Sequence, residues 1–147
     1  MKIAIASDHA GFEMKEKLKA DFDEVEWLDL GTDSGDPVNY PSFGFAMGEV
    51  ITENKAERGI VICGTGIGIS IAANRFPAVR AALCTNARMA RLSRRHNDAN
   101  VLALGSRIIE FEVAHECVRM FFDTDFEGAR HQKRVDMLNA SGRVDRI

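Results

Sequence analysis

The sequence lacks any apolar run that could cross a membrane. Its longest apolar stretches, such as residues 60–63, fall far short of the roughly 20 residues that span a bilayer. Lys2 begins a strand-like segment, and the amino terminus does not have the pattern of a signal peptide. We therefore expect a cytoplasmic protein that has no membrane partner.

The chain also has little excess charge and few cysteines. Its 19 basic and 22 acidic residues leave a net charge of −3, which is too small to attract nucleic acid by charge alone. The three cysteines form no CxxC pair, and this spacing argues against a disulfide framework and a structural zinc site. These absences favour a small-molecule partner, and any cysteine chemistry would use single thiols.

Short apolar segments alternate with amphipathic ones along the chain. Five apolar segments predict buried strands at residues 3–6, 25–30, 60–63, 79–84 and 101–104. Apolar residues three and four apart predict helices at about residues 11–21, 42–55, 67–75, 86–95 and 110–122, and a last one at about 129–140. This alternation predicts a five-stranded parallel sheet with helices on both faces. The 147 residues are thus predicted to form one doubly wound α/β domain, residues 1–147, with an extra carboxyl-terminal helix.

Polar residues and glycines follow the predicted strands where each strand ends. In a doubly wound sheet, ligands bind outside the carboxyl ends of the strands. The first strand is followed by Asp8 and His9, the third by a glycine-rich turn after Cys63, and the fifth by Arg107. We therefore expect a carboxylate, an imidazole, a thiol and this turn to meet at one edge of the sheet.

The glycine-rich turn contains Gly64, Gly66 and Gly68, directly after a strand and before a helical segment. Backbone N–H groups in such a turn can bind an anion or stabilise a developing oxyanion. Ile69 stands where a dinucleotide-binding loop needs glycine and where a cysteine phosphatase loop needs arginine, and a Walker A ending is absent. A tight strand-to-helix turn without any ligand is the alternative.

Cys63 differs from Cys84 and Cys117 because it ends a strand at the edge where ligands bind. Free cysteines are often small buried apolar residues, and we expect that role for the other two. The positive end of the helix after Cys63 would favour its thiolate, which could act as a base or a nucleophile.

Five motifs in order make the chain resemble the B-type ribose-5-phosphate isomerases. The motifs are residues 7–11 (SDHAG), 39–41 (NYP), 62–75 (ICGTGIGISIAANR), 95–102 (RHNDANVL) and 128–135 (GARHQKRV). Together they extend over essentially the whole chain. Sister branches that isomerise allose or galactose 6-phosphate share much of this pattern.

The resemblance implies an aldose–ketose isomerase that uses no cofactor and no metal and works through a cis-enediolate. Cys63 would be the base, and Thr65 and the N–H groups of the turn would hold the oxyanion. His96 would open the sugar ring with help from Asp8. The residues implied to bind the substrate are His9, Tyr40, Gly64, Gly66, Ile67, Gly68, Ser70, Asn97, Arg107, Arg130 and Arg134.

Arg130 and Arg134 lie four residues apart, on one face of the last segment if it is helical. The resemblance makes them the clamp on the phosphate group, with His9 and Arg107 contributing, and arginine forms the forked hydrogen bonds that phosphate needs. An exposed basic helix face without a ligand is the alternative.

His96 poses a geometric problem for a site within one chain. The helix that ends beside it starts at the edge with Cys63 and extends about 15 Å, at 1.5 Å per residue, toward the other edge. A symmetric dimer that brings His96 of one subunit to the turn of the other would solve the problem. The resemblance implies shared sites of this kind, in a homodimer or a dimer of dimers.

Some residues of the motifs and of the predicted helices have other or open roles. Asn39 replaces the aspartate that usually precedes Tyr-Pro in the family, which leaves the preferred sugar open. The role of His131 is also open, and we expect His115 to be structural. A run of arginines is expected to form a solvated or subunit-facing helix side, since no aromatic residues interleave with it for nucleic-acid binding. The run consists of Arg88, Arg91, Arg94 and Arg95.

The alternative interpretations assume the same fold but a different substrate or function. Another four- or six-carbon aldose phosphate is the alternative substrate. A phosphate- or nucleotide-binding regulatory domain could share the fold, but it would have no use for a thiol beside an oxyanion-binding turn. A thiol-redox protein is disfavoured, because no resolving cysteine lies near Cys63 in the sequence.

Overall fold

The computed structural model describes residues 1–140, so the end of the predicted domain, residues 141–147, lies outside the described residues. The strands are β1 (Lys2–Ser7), β2 (Glu26–Asp29), β3 (Arg58–Cys63), β4 (Ala81–Leu83) and β5 (Val101–Gly105). The helices are α1 (Phe12–Asp21), α2 (Tyr40–Thr52), α3 (Ile67–Ala73), α4 (Ala87–Asn97), α5 (Phe111–Asp123) and α6 (Gln132–Asn139). Short 3-10 turns at His9–Gly11 and Ala129–His131 precede α1 and α6. Across residues 1–140, no helix is both long and apolar enough to span a bilayer.

The five strands form one parallel sheet in the order β2-β1-β3-β5-β4. The predicted doubly wound α/β fold is therefore confirmed. The chain runs outward from β1 to β2 on one side and continues from β3 on the other, so the order reverses between β1 and β3. In the register of these strands, Ser7 pairs with Ile62 and Cys63 pairs with Gly105. The ends of β1 and β3 thus open onto the crevice where such sheets bind ligands.

Side chains of the central strands alternate between two apolar cores, one on each face of the sheet. Ile5 and Ile62 are fully buried on the face covered by α1, α4 and α5. Ala6 and Val61 are fully buried on the opposite face, which is covered by α2 and α3. Because both faces are packed, β1, β3 and β5 are almost entirely apolar.

The prediction of five buried strands is wrong for β2 and β4. Both strands are shorter than predicted, and residues such as Trp27 and Leu83 are only partly buried. Each of these strands pairs with a single neighbour, so each forms an edge of the sheet with less covering structure.

Helix α4 begins at the carboxyl edge of the sheet and ends at the amino edge, where its last residues lie. The Asn86 side chain accepts a hydrogen bond from the N–H of Met89 at 2.9 Å and so fixes the start of the helix. Asp98 adopts φ +46° and donates its N–H to the carbonyl of Arg94, which ends the helix.

The prediction that Arg94 belongs to a solvated or subunit-facing side is wrong. Arg94 is only 4% exposed, whereas Arg88 and Arg91 are exposed as expected. The Arg94 guanidinium donates to the carbonyl of Ala99 at 2.6 Å and to that of Thr124 at 3.2 Å. Ala99 lies in the turn between α4 and β5, and Thr124 directly follows α5. Arg94 is therefore buried by the tertiary structure and not by the periodicity of its own helix.

Candidate active site

A cavity of about 440 Å³ lies at the carboxyl ends of β1 and β3. It is lined by Asp8, Tyr40, Cys63, Gly64, Thr65, Ile67, Gly68 and Ile71. Its volume is within the range of about 300–1,000 Å³ that is typical of small-molecule sites. Asp8 reaches it because its N–H donates to the carbonyl of Ile62 and so continues the pairing of the two strands. The prediction that a carboxylate, a thiol and the glycine-rich turn meet at this edge is confirmed, whereas the imidazole of His9 is not among the residues that line the cavity.

The thiol of Cys63 is held by the turn that follows it. The residue is only 4% exposed, yet it lines the cavity. Its Sγ accepts a hydrogen bond from the N–H of Gly66 at 3.2 Å, so a backbone donor is directed at the sulfur. Gly66 adopts φ +78°, and a Cβ at this position would lie 2.6 Å from the Leu83 side chain. Glycine is therefore needed where the chain turns back toward the sulfur.

Thr65 is fixed by its own turn. Its Oγ1 accepts a hydrogen bond from the N–H of Ile67 at 3.1 Å, which leaves the hydroxyl proton to be donated elsewhere. The Oγ of Ser70 donates to the carbonyl of Ile67 at 2.7 Å, and Ser70 is not among the residues that line the cavity. Ser70 thus stabilises the start of α3 through its side chain.

The ring of His9 is held by a backbone donor. Its Nδ1 accepts a hydrogen bond from the N–H of Val38 at 3.1 Å, so a neutral ring carries its proton on Nε2. The neighbouring Asp8 uses Oδ1 to accept from the N–H of Gly11 at 3.1 Å, which caps the first 3-10 turn. Both side chains are therefore oriented by backbone donors.

Arg107 and Tyr40 lie against two glycines of the turn. The N–H of Arg107 donates to the carbonyl of Gly64, and a Cβ on Gly64 would lie 3.3 Å from the guanidinium Nη1. A Cβ on Gly68 would lie 2.3 Å from the ring of Tyr40. The absence of side chains at these glycines thus lets a guanidinium and a phenol approach the backbone of the turn.

The second group of predicted site residues lies at the opposite edge of the sheet. His96 and Asn97 form the end of α4, and the carbonyl of Asn100 accepts from the N–H of Gly59, the second residue of β3. Gly59 precedes Cys63 by four residues, which corresponds to about 13 Å of strand. Within one chain, therefore, the fold does not bring His96 and Asn97 to the cavity.

His96 instead lies against His131. The two rings stack with 4.4 Å between their centroids and 16° between their planes. His131 is buried, and its Nε2 lies 3.9 Å from Oε1 of Glu127. Burial, together with the charges of Arg130 and His96, lowers the pKa of His131. Arg130 and Arg134 are both exposed beside this pair.

Glu127 also lies in this group, although the sequence did not predict it. Its N–H donates to the carbonyl of Arg95 at 3.1 Å, and its carboxylate pairs with the guanidinium of Arg95 at the same distance. The turn that places it contains Gly128 and Ala129, both with positive φ. The spacing of four residues between Glu127 and His131 is the one signal in the sequence that could have indicated their proximity. It brings the two side chains together only because of that turn.

Comparison with known proteins gives consistent matches over nearly the whole chain. The profile of the family described as Ribose/Galactose Isomerase matches residues 3–138. Ribose-5-phosphate isomerase B of Escherichia coli is 43% identical over 141 residues, which cover 95% of each chain.

Solved structures match equally well. Ribose-5-phosphate isomerase B of Clostridium thermocellum is 48% identical and superposes with a TM-score of 0.91, covering 95% of both chains. The enzyme of the same name from Mycoplasma genitalium, solved with bound ribulose-5-phosphate, is 37% identical with a TM-score of 0.87 and covers 94% of this chain and 93% of its own.

Proposed function

The chain belongs to the ribose/galactose isomerase family, and from this premise we propose that it interconverts D-ribose 5-phosphate and D-ribulose 5-phosphate. Its relatives are aldose–ketose isomerases, and so is this chain. The five-carbon substrate is supported by the names of these relatives and by the ribulose-5-phosphate bound to the Mycoplasma genitalium enzyme. The observation that carries the proposal is the cavity that Asp8, Cys63 and Thr65 share.

In the proposed reaction, the thiolate of Cys63 removes the proton from C2 of the open-chain aldose. The electron pair of that C–H bond forms the C1–C2 double bond of a cis-enediolate, and the carbonyl oxygen on C1 becomes an oxyanion. The hydroxyl of Thr65 and N–H groups of the turn donate to this oxygen. The thiol then returns a proton to C1, while the hydroxyl proton of O2 is transferred to O1, which yields the ketose.

This reaction needs no cofactor in principle. One carbon is oxidised and its neighbour is reduced within the same molecule, so no electrons leave the substrate. The proposed roles of the protein are a base, donors for the oxyanion, and an acid–base group for ring opening. We propose that no metal takes part in this chemistry.

Ring opening is assigned to His96 of the partner subunit in a homodimer. The proposal is supported by the position of His96 at the edge opposite Cys63, since a two-fold axis can bring one edge to the other. Exposed apolar residues beside the cavity support a covering subunit. Ile67 and Ile71 are 51% and 58% exposed, and Tyr40 is 41% exposed. Asp8 would assist from the subunit that holds Cys63, and Tyr40 and Asn97 would contact the sugar.

The phosphate group is assigned to cations from both subunits. His9 would donate from Nε2 and Arg107 from its guanidinium, beside the turn. Arg130 and Arg134 would come from the partner subunit, where they are exposed next to His96. Forked hydrogen bonds from arginine suit a phosphate better than the single charge of lysine does.

We also propose the cytoplasm as the site of this reaction. Cys63, Cys84 and Cys117 are all free thiols. Unpaired cysteines are typical of reducing compartments, in which disulfides are rare.

The proposal is tested by proton exchange with solvent. Incubation with ribose 5-phosphate in D₂O is expected to place deuterium on C2 of the aldose and C1 of the ketose. Cys63→Ala is expected to abolish the exchange, whereas Cys84→Ala, which removes a buried thiol away from the cavity, retains it. Exchange that survives in Cys63→Ala would exclude the thiol as the base. A higher kcat/KM for a six-carbon aldose phosphate than for ribose 5-phosphate would show that the six-carbon sugar is the preferred substrate.

A further inference from the structure

Three side chains that commonly bind metals meet at the edge opposite Cys63. The ligand atoms of His96, Glu127 and His131 all lie within 4.8 Å of one another. We call these three residues the His–Glu–His cluster. His96 has an assigned role in ring opening, but that role gives no reason for a second imidazole and a carboxylate to stand beside it.

His131 supplies a second observation. Its Nε2 is buried, and among residues 1–140 no hydrogen-bond partner reaches it. Oε1 of Glu127, at 3.9 Å, is too distant to accept a hydrogen bond from it. Buried polar atoms are nearly always paired with protein, water or an ion, so an unpaired imidazole nitrogen beside a carboxylate points to a bound group.

We propose that the His–Glu–His cluster binds a divalent transition-metal ion of the zinc type. Two imidazole nitrogens and one carboxylate oxygen are a common ligand set for zinc, with a water molecule in the fourth position. Ligands at about 2.0–2.1 Å from a tetrahedral ion lie about 3.3 Å apart, so the side chains would have to close by roughly 1.5 Å at most. His96, in the last turn of α4, and the exposed Glu127 would make this adjustment.

The charges around the cluster select among cations. Arg95 holds Oε2 of Glu127 at 3.1 Å, and Arg130 lies 3.4 Å from Oε1. The side chain of Arg130 is 67% exposed and can turn into solvent, which frees Oε1 for a metal. Only one carboxylate oxygen is then available, and this disfavours magnesium and calcium, which need several oxygen ligands.

Such a metal would inhibit the enzyme. It would occupy the nitrogen lone pair of His96 that accepts and returns a proton when the sugar ring opens. This consequence depends on the proposed function, whereas metal binding itself does not. Zinc would therefore act as a reversible inhibitor that a chelator removes, and not as a cofactor.

The test is a binding titration of the full-length protein in the absence of substrate. Zn²⁺ affinity is measured by calorimetry, and Co²⁺ is used as a spectroscopic probe of tetrahedral coordination. Wild type is compared with Glu127→Gln and His131→Gln, and both variants are checked for folding by circular dichroism. Changes even to residues behind metal ligands weaken binding by about 10–100-fold, so each variant is expected to lose at least about tenfold in affinity.

Two control variants separate this cluster from other metal-binding groups. Cys63→Ala removes the thiol of the cavity, and His115→Gln removes a histidine that stacks on Phe22. Both controls are expected to bind Zn²⁺ as wild type does. Equal affinity in all variants, or a loss only in Cys63→Ala, would overturn the assignment. If binding follows the cluster but Zn²⁺ leaves the isomerase activity unchanged, the metal site stands and the role of His96 in ring opening is wrong.

Discussion

Asp8 and Cys63 line the same cavity from the ends of two adjacent parallel strands. The pairing of Ser7 with Ile62 fixes the two side chains relative to each other, so their separation does not depend on a flexible loop. A carboxylate and a thiol held in this way can both contact a small molecule bound in the cavity. The rigidity of the two strands is therefore part of the site.

The first prediction concerns selective alkylation of the three cysteines. Burial raises the pKa of Cys84 to about 12 and that of Cys117 to about 11, so at neutral pH both remain thiols. Since the thiolate is the form that reacts, iodoacetamide is expected to modify Cys63 alone, with loss of activity in proportion. Mass spectrometry of peptides would identify the modified residue. Ribose 5-phosphate is expected to protect Cys63, and modification of Cys84 before Cys63 would contradict the assignment.

The second prediction tests the shared site. Cys63→Ala and His96→Ala are each expected to be inactive, because each lacks one of the two groups in both sites. Random exchange of their subunits in equal amounts gives about one intact site in four, so the mixture is expected to regain about a quarter of the wild-type activity. Activity is measured after the subunits are mixed under mild denaturation and refolded. A mixture that stays inactive would place both groups in one chain.

The third prediction separates two glycines of the turn by the kind of damage that substitution causes. Gly66→Ala forces a side chain onto φ +78° and into the backbone of Leu104, so a lower free energy of unfolding is expected, by about 1–3 kcal/mol. Gly68→Ala meets only the movable ring of Tyr40, so a higher KM with little loss of stability is expected. Gly35→Ala is the control, since no atom lies within 4 Å of its added Cβ. Urea unfolding and steady-state kinetics on all three variants would check this, and equal effects at Gly35 and Gly66 would contradict it.

Much of the fold could be predicted, because the sequence patterns that mark its strands and helices are local. The apolar segments that became β1, β3 and β5 are short and continuous, and parallel pairing needs no further signal in the sequence. The same reasoning failed for the burial of β2 and β4, because an edge position depends on the order of strands in the sheet.

The candidate site likewise has one part that the sequence predicts and one part that it does not. Cys63, Thr65 and the glycines are contiguous in sequence, so the turn could be predicted as a unit. The distance from Cys63 to His96 also followed from the length of α4. Glu127 could not be predicted, because its position depends on two consecutive residues with positive φ. The burial of Arg94 was not predicted, because one of its acceptors, the carbonyl of Thr124, lies 30 residues further along the chain.

The fourth prediction follows from the burial of Arg94. Arg94→Ala removes the donor to the carbonyls of Ala99 and Thr124 and to Oδ1 of Asp98, whose Oδ2 still pairs with Arg80. Loss of one partner from a buried, hydrogen-bonded pair is strongly destabilising, so the free energy of unfolding is expected to fall by about 2–4 kcal/mol. Arg91→Ala, on the exposed side of α4, is expected to change it by no more than about 0.5 kcal/mol. Equal values for the two variants in urea unfolding would show that the interactions of Arg94 do not stabilise the fold.

The last prediction concerns stability in acid. Burial alone would raise the pKa of Asp29, but hydrogen bonds from Lys15 and Lys19 outweigh it and lower that pKa below its usual value. Because the folded-state pKa is lower than the unfolded one, Asp29 stabilises the fold above about pH 4, and this contribution is lost as the pH falls through the folded-state value. Lys15 is 1% exposed, so removal of the Asp29 carboxylate also leaves its buried charge with Glu16 as the remaining acidic partner.

Asp29→Asn is therefore expected to be less stable than wild type at neutral pH and to lose less of its remaining stability between about pH 4 and pH 2. Urea unfolding at a series of pH values measures both effects. Asp33→Asn, an exposed carboxyl in the following loop, is the control and is expected to follow the wild-type curve. If the Asp29→Asn and wild-type curves run parallel through the acid range, the ion pair with Lys15 is not the source of acid sensitivity, and the link from α1 to the end of β2 must be stabilised by packing alone.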